Sequence, residues 1–228
     1  MVGANFLIGC FGISLGFHRL LCHRSFIAKP WVRNVMAFLG TLSFNGGPVS
    51  WVAVHRSHHL HTDQAGDPHS SLRGFWWSHI GWIMHHRPNG FRFSESKKMA
   101  EDVAQVPFVA FLERHFMAVN IGVFVIAALL IRRADILFWI FPVRIVVQWH
   151  LTYLINSYAH GARFFKAQAP TQLRNSRWLS WVSYGEGLHL NHHLRPASPS
   201  FSDSQSGKDF GYLVLLSFQS LGWIELKK

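Results

Sequence analysis

The chain has 228 residues, enough for one domain with a sizeable core; 49% are hydrophobic and only 14% are charged, against about a quarter charged in soluble domains. Its 20 Phe and 10 Trp exceed what an ordinary soluble enzyme carries, and Trp concentrates at membrane–water interfaces. A formal net charge of +11 raises nucleic acid as a partner, but the basic residues flank apolar segments, which assigns them to membrane topology and anionic headgroups, with no nucleic acid.

In chain order, residues 2–17 are uncharged and stop at His18. As a helix they would rise about 24 Å, short of the roughly 30 Å hydrocarbon core. They also lack the basic start and cleavage site of a signal peptide, so the stretch reads as a transmembrane helix that is truncated. Cys10 and Cys22 are too few for an iron–sulfur cluster or a disulfide scaffold and read as small buried hydrophobes. A second apolar stretch, residues 30–54, is interrupted by Asn45-Gly46-Gly47-Pro48, a turn signal. Residues 70–90 mix Trp and Phe with Arg and His, as an interfacial amphipathic segment does. The strongest spans are Phe116–Ile131 and residues 136–155, joined by an Arg132-Arg133-Ala134-Asp135 turn. From Ala197 a Ser/Pro-rich loop leads to a short helix starting near Phe210. With no composition shift and no internal repeat, 1–228 is expected to be a single domain.

Nine histidines form four clusters: His18 and His23; His55, His58 and His59; His160; and His189, His192 and His193. The second and fourth clusters share the offsets i, i+3 and i+4, which line one face of a helix and offer several imidazoles to one centre. His18 and His23, at i and i+5, suit a helix end followed by a loop. His160 follows Asn156 by one turn at the end of an expected span. Nine nitrogens exceed one six-coordinate ion and suit two, although imidazole accepts iron, zinc, copper and nickel alike. A shared site places every cluster on one side of the bilayer, so the chain crosses an even number of times between clusters. Residues 116–155 do this with two spans; residues 30–54 are then re-entrant or interfacial. Arg132 and Arg133 fall on the non-cytosolic side in this scheme, a mild exception to the positive-inside tendency.

The runs GFHRLLCHRSF (16–26), HRSHHLHTDQAGDPHS (55–70) and GEGLHLNHH (185–193) resemble the three histidine boxes of membrane fatty acid desaturases. They are most similar to the Δ9 acyl desaturases that include stearoyl-CoA desaturase. The similarity extends through GFWWSHIGWIM (74–84) and RNSRWL (174–179), while GGPVSWVAVHR (46–56) resembles the bacterial, cyanobacterial and plant branch. The resemblance implies an all-α integral membrane protein, with transmembrane helices beneath a cytosolic helical cap that carries a histidine-rich di-metal site. It implies that two Fe ions are held by His18, His23, His55, His58, His59, His160, His189, His192 and His193, with Asn156 reaching a metal through water. Asp63, Asp67 and Glu186 match acidic positions near the boxes and are candidates to hold imidazole rings in orientation. The implied reaction is O2-dependent desaturation of a long-chain acyl substrate. Its electrons come from a separate redox protein of ferredoxin or cytochrome b5 type, to which the basic surface would steer an acidic partner.

Arg144 and His150 lie within an expected span and are candidates for the substrate path. His61, His69, His79, His85, His86 and His115 are expected not to be ligands, with His61 and His69 near enough to the second box to support it. Leu190 stands where the family commonly has an amide side chain, and residues 194–200 depart from its usual pattern. A membrane hydroxylase built on the same histidines and a non-catalytic relative holding structural zinc are the alternative readings.

Overall fold

The computed structural model describes residues 1–85, 97–161, 173–203 and 207–227, which are mostly helical. At its centre lies α1 (Val2–Cys22), regular over Val2–Phe6 and wound in wide π turns over Leu7–Cys22. It continues past His18 and Arg19, further than the uncharged stretch suggested. Arg19 is fully buried, and its guanidinium is paired with Asp209, so its charge does not force the helix to end in water. Beside α1 packs α2 (Pro30–Thr41). A Cβ on Gly12 would lie 2.4 Å from the Gly40 nitrogen, so glycine lets these two backbones touch.

The apolar stretch 30–54 is two helices, α2 and α3 (Pro48–Leu60), separated by a turn with positive φ at Phe44 (63°) and Gly46 (99°). Their 12 and 13 residues rise only about 18–20 Å each, too little to cross a bilayer core. Both begin with proline, whose missing N–H is no loss at a helix start. The first turn of α3 is held from outside. Glu113, from a later helix, accepts from the backbone N–H of Val49 (3.0 Å) and Ser50 (3.1 Å) and from the Ser50 hydroxyl, placing an acid where the helix dipole is positive.

After α3 come short 3₁₀ turns at Ser71–Arg73 and Gly81–Met84 around α4 (Phe75–His79); Trp76 and Met84 are exposed. The rest of that expected interfacial segment, including His86, lies outside the described residues. The chain then forms α5 (Glu101–Ala104) and α6 (Pro107–Arg114), and bends by 80° into α7 (Phe116–Ile131). The following turn is tighter than expected. Arg132 adopts a left-handed conformation, and α8 (Ala134–Ala159) starts at once, with Asp135 in its first turn paired to Arg133 at 2.6 Å.

Among the described residues, two helices, α1 and α8, are long and apolar enough to cross a membrane, or three spans if the bent α6–α7 pair counts as one. They differ in surroundings: the apolar window of α1 is 83% buried within the protein and that of α8 only 11%. The remaining helices are α9 (Arg177–Val182), α10 (His189–Leu194) and α11 (Phe210–Ser220).

The mostly helical chain also carries a short strand pair that nothing in the sequence announced. Phe26–Ala28 (β1) and Ile224–Leu226 (β2) pair antiparallel, with Phe26 opposite Leu226 and Ala28 opposite Ile224. Three-residue strands are too short for alternation to register in a sequence. The pairing pins the tail beside the segment that follows His23.

Candidate metal centre

The wide turns of α1 explain the i, i+5 spacing of the first box. In an ordinary α-helix, residues five apart are rotated by about 140°. Here the His23 N–H donates to the His18 carbonyl at 3.0 Å, and the two rings sit 4.9 Å apart. π turns recur at functional sites, and this one brings both imidazoles to one side. On α3, His55 and His59 are stacked one turn apart while His58 points to their flank. The six-residue α10 presents His189, His192 and His193 in the same way, and His160 caps the end of α8.

The nine rings form two groups, in each of which one nitrogen per ring lies within 4.8 Å of all the others. The first contains His18, His23, His55, His59 and His192; the second contains His58, His160, His189 and His193. In the first, neighbouring Nε2 atoms are 3.1 Å apart for His23–His55, 3.1 Å for His55–His59, 2.9 Å for His59–His192 and 3.1 Å for His192–His18. In the second they are 2.9 Å for His160–His189, 3.1 Å for His189–His193 and 3.4 Å for His193–His58. Ligands at right angles with metal–nitrogen bonds of about 2.0–2.1 Å would sit about 3 Å apart, so the donor set fits metal ions in geometry as well as in chemistry. The second and third boxes are split: α3 and α10 each contribute to both groups.

Three of the outward ring nitrogens are held by acids. His58 Nδ1 donates to Asp67 (2.9 Å), His160 Nδ1 to Asp63 (2.9 Å), and His18 Nδ1 contacts Glu186 at 2.6 Å. Each contact fixes the tautomer that turns Nε2 inward as an acceptor. The Ser14 hydroxyl in turn donates to Glu186 at 2.5 Å.

Burial, and then the neighbouring histidines, push the ring of His59 down to about 3 and that of His193 to about 2. The same causes hold His23, His55, His58, His189 and His192 below the usual histidine value. Neutral rings are the form that binds metal. Burial pushes Asp67 up to about 7, against the backbone N–H groups of Asp63 and His69. Burial also raises Glu186, but His18, Arg19 and Ser14 outweigh it and hold the carboxyl below its ordinary value.

Two cavities adjoin the groups. One of about 60 Å³ is lined by Gly9, Ser14, Gln148, Tyr184 and Glu186 among others, and one of about 270 Å³ by Asn45, His69, Trp82 and Tyr153 among others. Trp51, His55, Thr152 and Asn156 line both. Asn156 therefore faces the space beside the histidines. Arg144 is buried, with Nε donating to the Ile140 carbonyl, and His150 is exposed, its Nδ1 2.9 Å from His79 Nε2. Neither lines these two cavities.

Of the other histidines, His61 bonds the Ser57 carbonyl and His85 that of Gly81, while His115 packs against Phe111. His69, beside the second box, forms a buried triad with His58 and Asp67. Trp51, stacked on His55 at 5.0 Å, and Ser14 gave no signal in the sequence beyond lying one turn before a box histidine.

The family model for fatty acid desaturases matches residues 1–202. The chain belongs to the fatty acid desaturase family. It is thus an oxidoreductase of lipid metabolism. It is similar to an sn-2 palmitoyl-lipid 9-desaturase from Nostoc sp. (strain 36), 41% identical over 86% of this chain and 69% of the relative. The sn-1 stearoyl-lipid 9-desaturase of Anabaena variabilis is 38% identical over 95% of this chain and 78% of the relative. That of Synechocystis sp. (strain ATCC 27184 / PCC 6803 / Kazusa) is 35% identical over 84% of this chain and 60% of the relative.

Proposed function

We propose that the chain is an O2-dependent acyl-lipid desaturase that inserts a cis double bond at Δ9 of a long saturated acyl chain. The observation that carries this reading is the convergence of nine ring nitrogens into two interleaved groups beside largely apolar cavities. His18, His23, His55, His59 and His192 would hold one iron, and His58, His160, His189 and His193 the other, with Asn156 near enough to act through water. A di-iron pair supplies, with O2 and two electrons, the oxidant needed to take hydrogen from an unactivated methylene, which acid–base chemistry cannot do.

The chain's own residues supply orientation and a dry setting. Asp63, Asp67 and Glu186 fix ring tautomers and angles, and Trp51 packs flat against His55. The space lined by Trp51, Thr152 and Asn156 would receive the acyl chain, so that its depth of threading selects the carbon presented to the metals. The relatives named as acyl-lipid enzymes favour a lipid as acyl carrier. We take α1, α8 and the bent α6–α7 pair as the membrane-embedded part of a multi-pass protein, with the histidines on the cytosolic side. Electrons would come from a separate ferredoxin or cytochrome b5 type partner.

The test is expression in a host without a desaturase, with a matched redox partner, followed by gas chromatography–mass spectrometry of total fatty acids and metal analysis of the purified chain. A Δ9 monounsaturated acid that disappears in His58→Ala, with two irons per chain, is the expected result. A hydroxy acid would overturn desaturation in favour of hydroxylation. A membrane-inserted chain holding only zinc, with no new product after iron loading, would overturn the enzyme.

A further inference from the structure

Pro199, Phe201 and Asp209 close over Arg19, the neighbour of His18. The Arg19 guanidinium is fully buried. It donates from Nη1 to Asp209 Oδ2 (2.8 Å) and to the Pro199 carbonyl (2.8 Å), and from Nη2 to Asp209 Oδ1 (3.0 Å). Such a two-pronged pair is directional as well as strong. Asp209 also accepts from the Phe201 N–H (2.8 Å) and, as the cap of α11, from the Tyr212 N–H (3.0 Å). The effect is to lay the Phe201 ring under the guanidinium, 3.9 Å from its carbon, and against the imidazoles of His192 (4.6 Å) and His18 (5.7 Å).

Two further contacts tie this arrangement to the third box. Asn191, between His189 and His192, donates to the Phe201 carbonyl at 2.8 Å. Gly185 has φ +107°, and a Cβ there would lie 2.1 Å from Asp209 Oδ1, so the chain leading to Glu186 can pass only as glycine. Asp209 and α11 lie beyond the residues matched by the family model, which ends at 202.

We propose that Arg19, Asp209 and Phe201 form a latch by which the tail positions His18 and His192, and hence the first metal group, while Asp63 and Asp67 hold His160 and His58 of the second. Arg19 and Asp209 are positioning residues; Phe201 transmits their placement to the two imidazoles. The proposal rests on the two-metal reading above.

The test is iron per chain in Asp209→Asn, alone and combined with a ligand loss in either group. The wild type should hold two irons and Asp209→Asn close to one. Added to His18→Ala, Asp209→Asn should remove no further iron, whereas added to His160→Ala it should leave the chain almost empty. That non-additivity separates positioning of one group from general destabilisation, and Asp209→Glu should restore much of the lost iron. Phe201→Leu, which keeps the ion pair and withdraws the ring, should cause a smaller loss confined to the same group; it decides the matter if Asp209→Asn does not fold. Two irons retained in both Asp209→Asn and Phe201→Leu would overturn the latch alone, as would equal loss from both groups. A wild type that binds no iron overturns the latch together with the metal reading.

Discussion

The two histidine groups differ in how they are braced. The braces of the second come from one loop: Asp63 and Asp67, four residues apart after α3, take His160 and His58, and Asp67 also accepts from the Asp63 N–H. The first is held over distance. Its histidines come from α1, α3 and α10, and the parts that fix them (Glu186, the Arg19–Asp209 pair, and Arg56 across the end of α1) are drawn from the whole chain. Acids from one loop move as a unit; braces drawn from distant parts of the chain report on whether those parts are docked.

This contrast can be broken most severely by removing a ligand. His160→Ala and His192→Ala should each reduce iron from two to one per chain and abolish the unsaturated product, by metal analysis and gas chromatography. The next effect concerns the braces. Asp67→Asn should weaken metal retention of the second group about 10–100-fold, the usual result of losing a carboxylate behind a ligand imidazole. Glu186→Gln should do the same to the first group; competition with a chelator distinguishes the two.

Ser14→Ala removes one hydrogen bond to Glu186, worth about 1 kcal/mol, so roughly a fivefold weakening of the first group is expected. The smallest effect is a pH dependence. Burial raises the Asp102 carboxyl, but Arg56 and Arg24 outweigh it and hold it at about 2. A depressed acid stabilises the fold above its unfolded value of 3.8 and loses that contribution as pH falls towards 2. The pair is partly exposed, so the contribution is under about 1 kcal/mol. Asp102→Asn should flatten the acid limb of thermal stability in detergent between pH 4 and pH 2, and an unchanged slope would remove this ion pair from the first group's support.

Much of the site could be read from the sequence because its ligands repeat at helical spacing, and i, i+3, i+4 offsets mean the same face wherever they occur. The three acids were legible as neighbours of the boxes, but not which imidazole each holds, since that depends on how α3, α8 and α10 cross. The π turns of α1 were illegible, because no spacing rule for an ordinary helix brings His18 beside His23. The Arg19–Asp209 contact joins residues 190 positions apart, and nothing in the sequence pairs the two. For the fold, the broken stretch at Asn45–Pro48 and the helix at Phe210 were announced by turn and cap residues. The β1–β2 pairing was not, because three residues are too few to show a period.

The sharing of α3 and α10 between the two groups carries an evolutionary consequence. No single element owns an ion, so the centre has no half that could be excised, duplicated or transplanted as a module. A one-residue slip of α10 would rotate His189, His192 and His193 together by about 100° and spoil both ions at once. A mononuclear descendant is therefore reachable by point substitutions, one ligand at a time, and not by trimming a segment. Insertions and deletions within the three boxes should be far rarer among functional variants than substitutions between them.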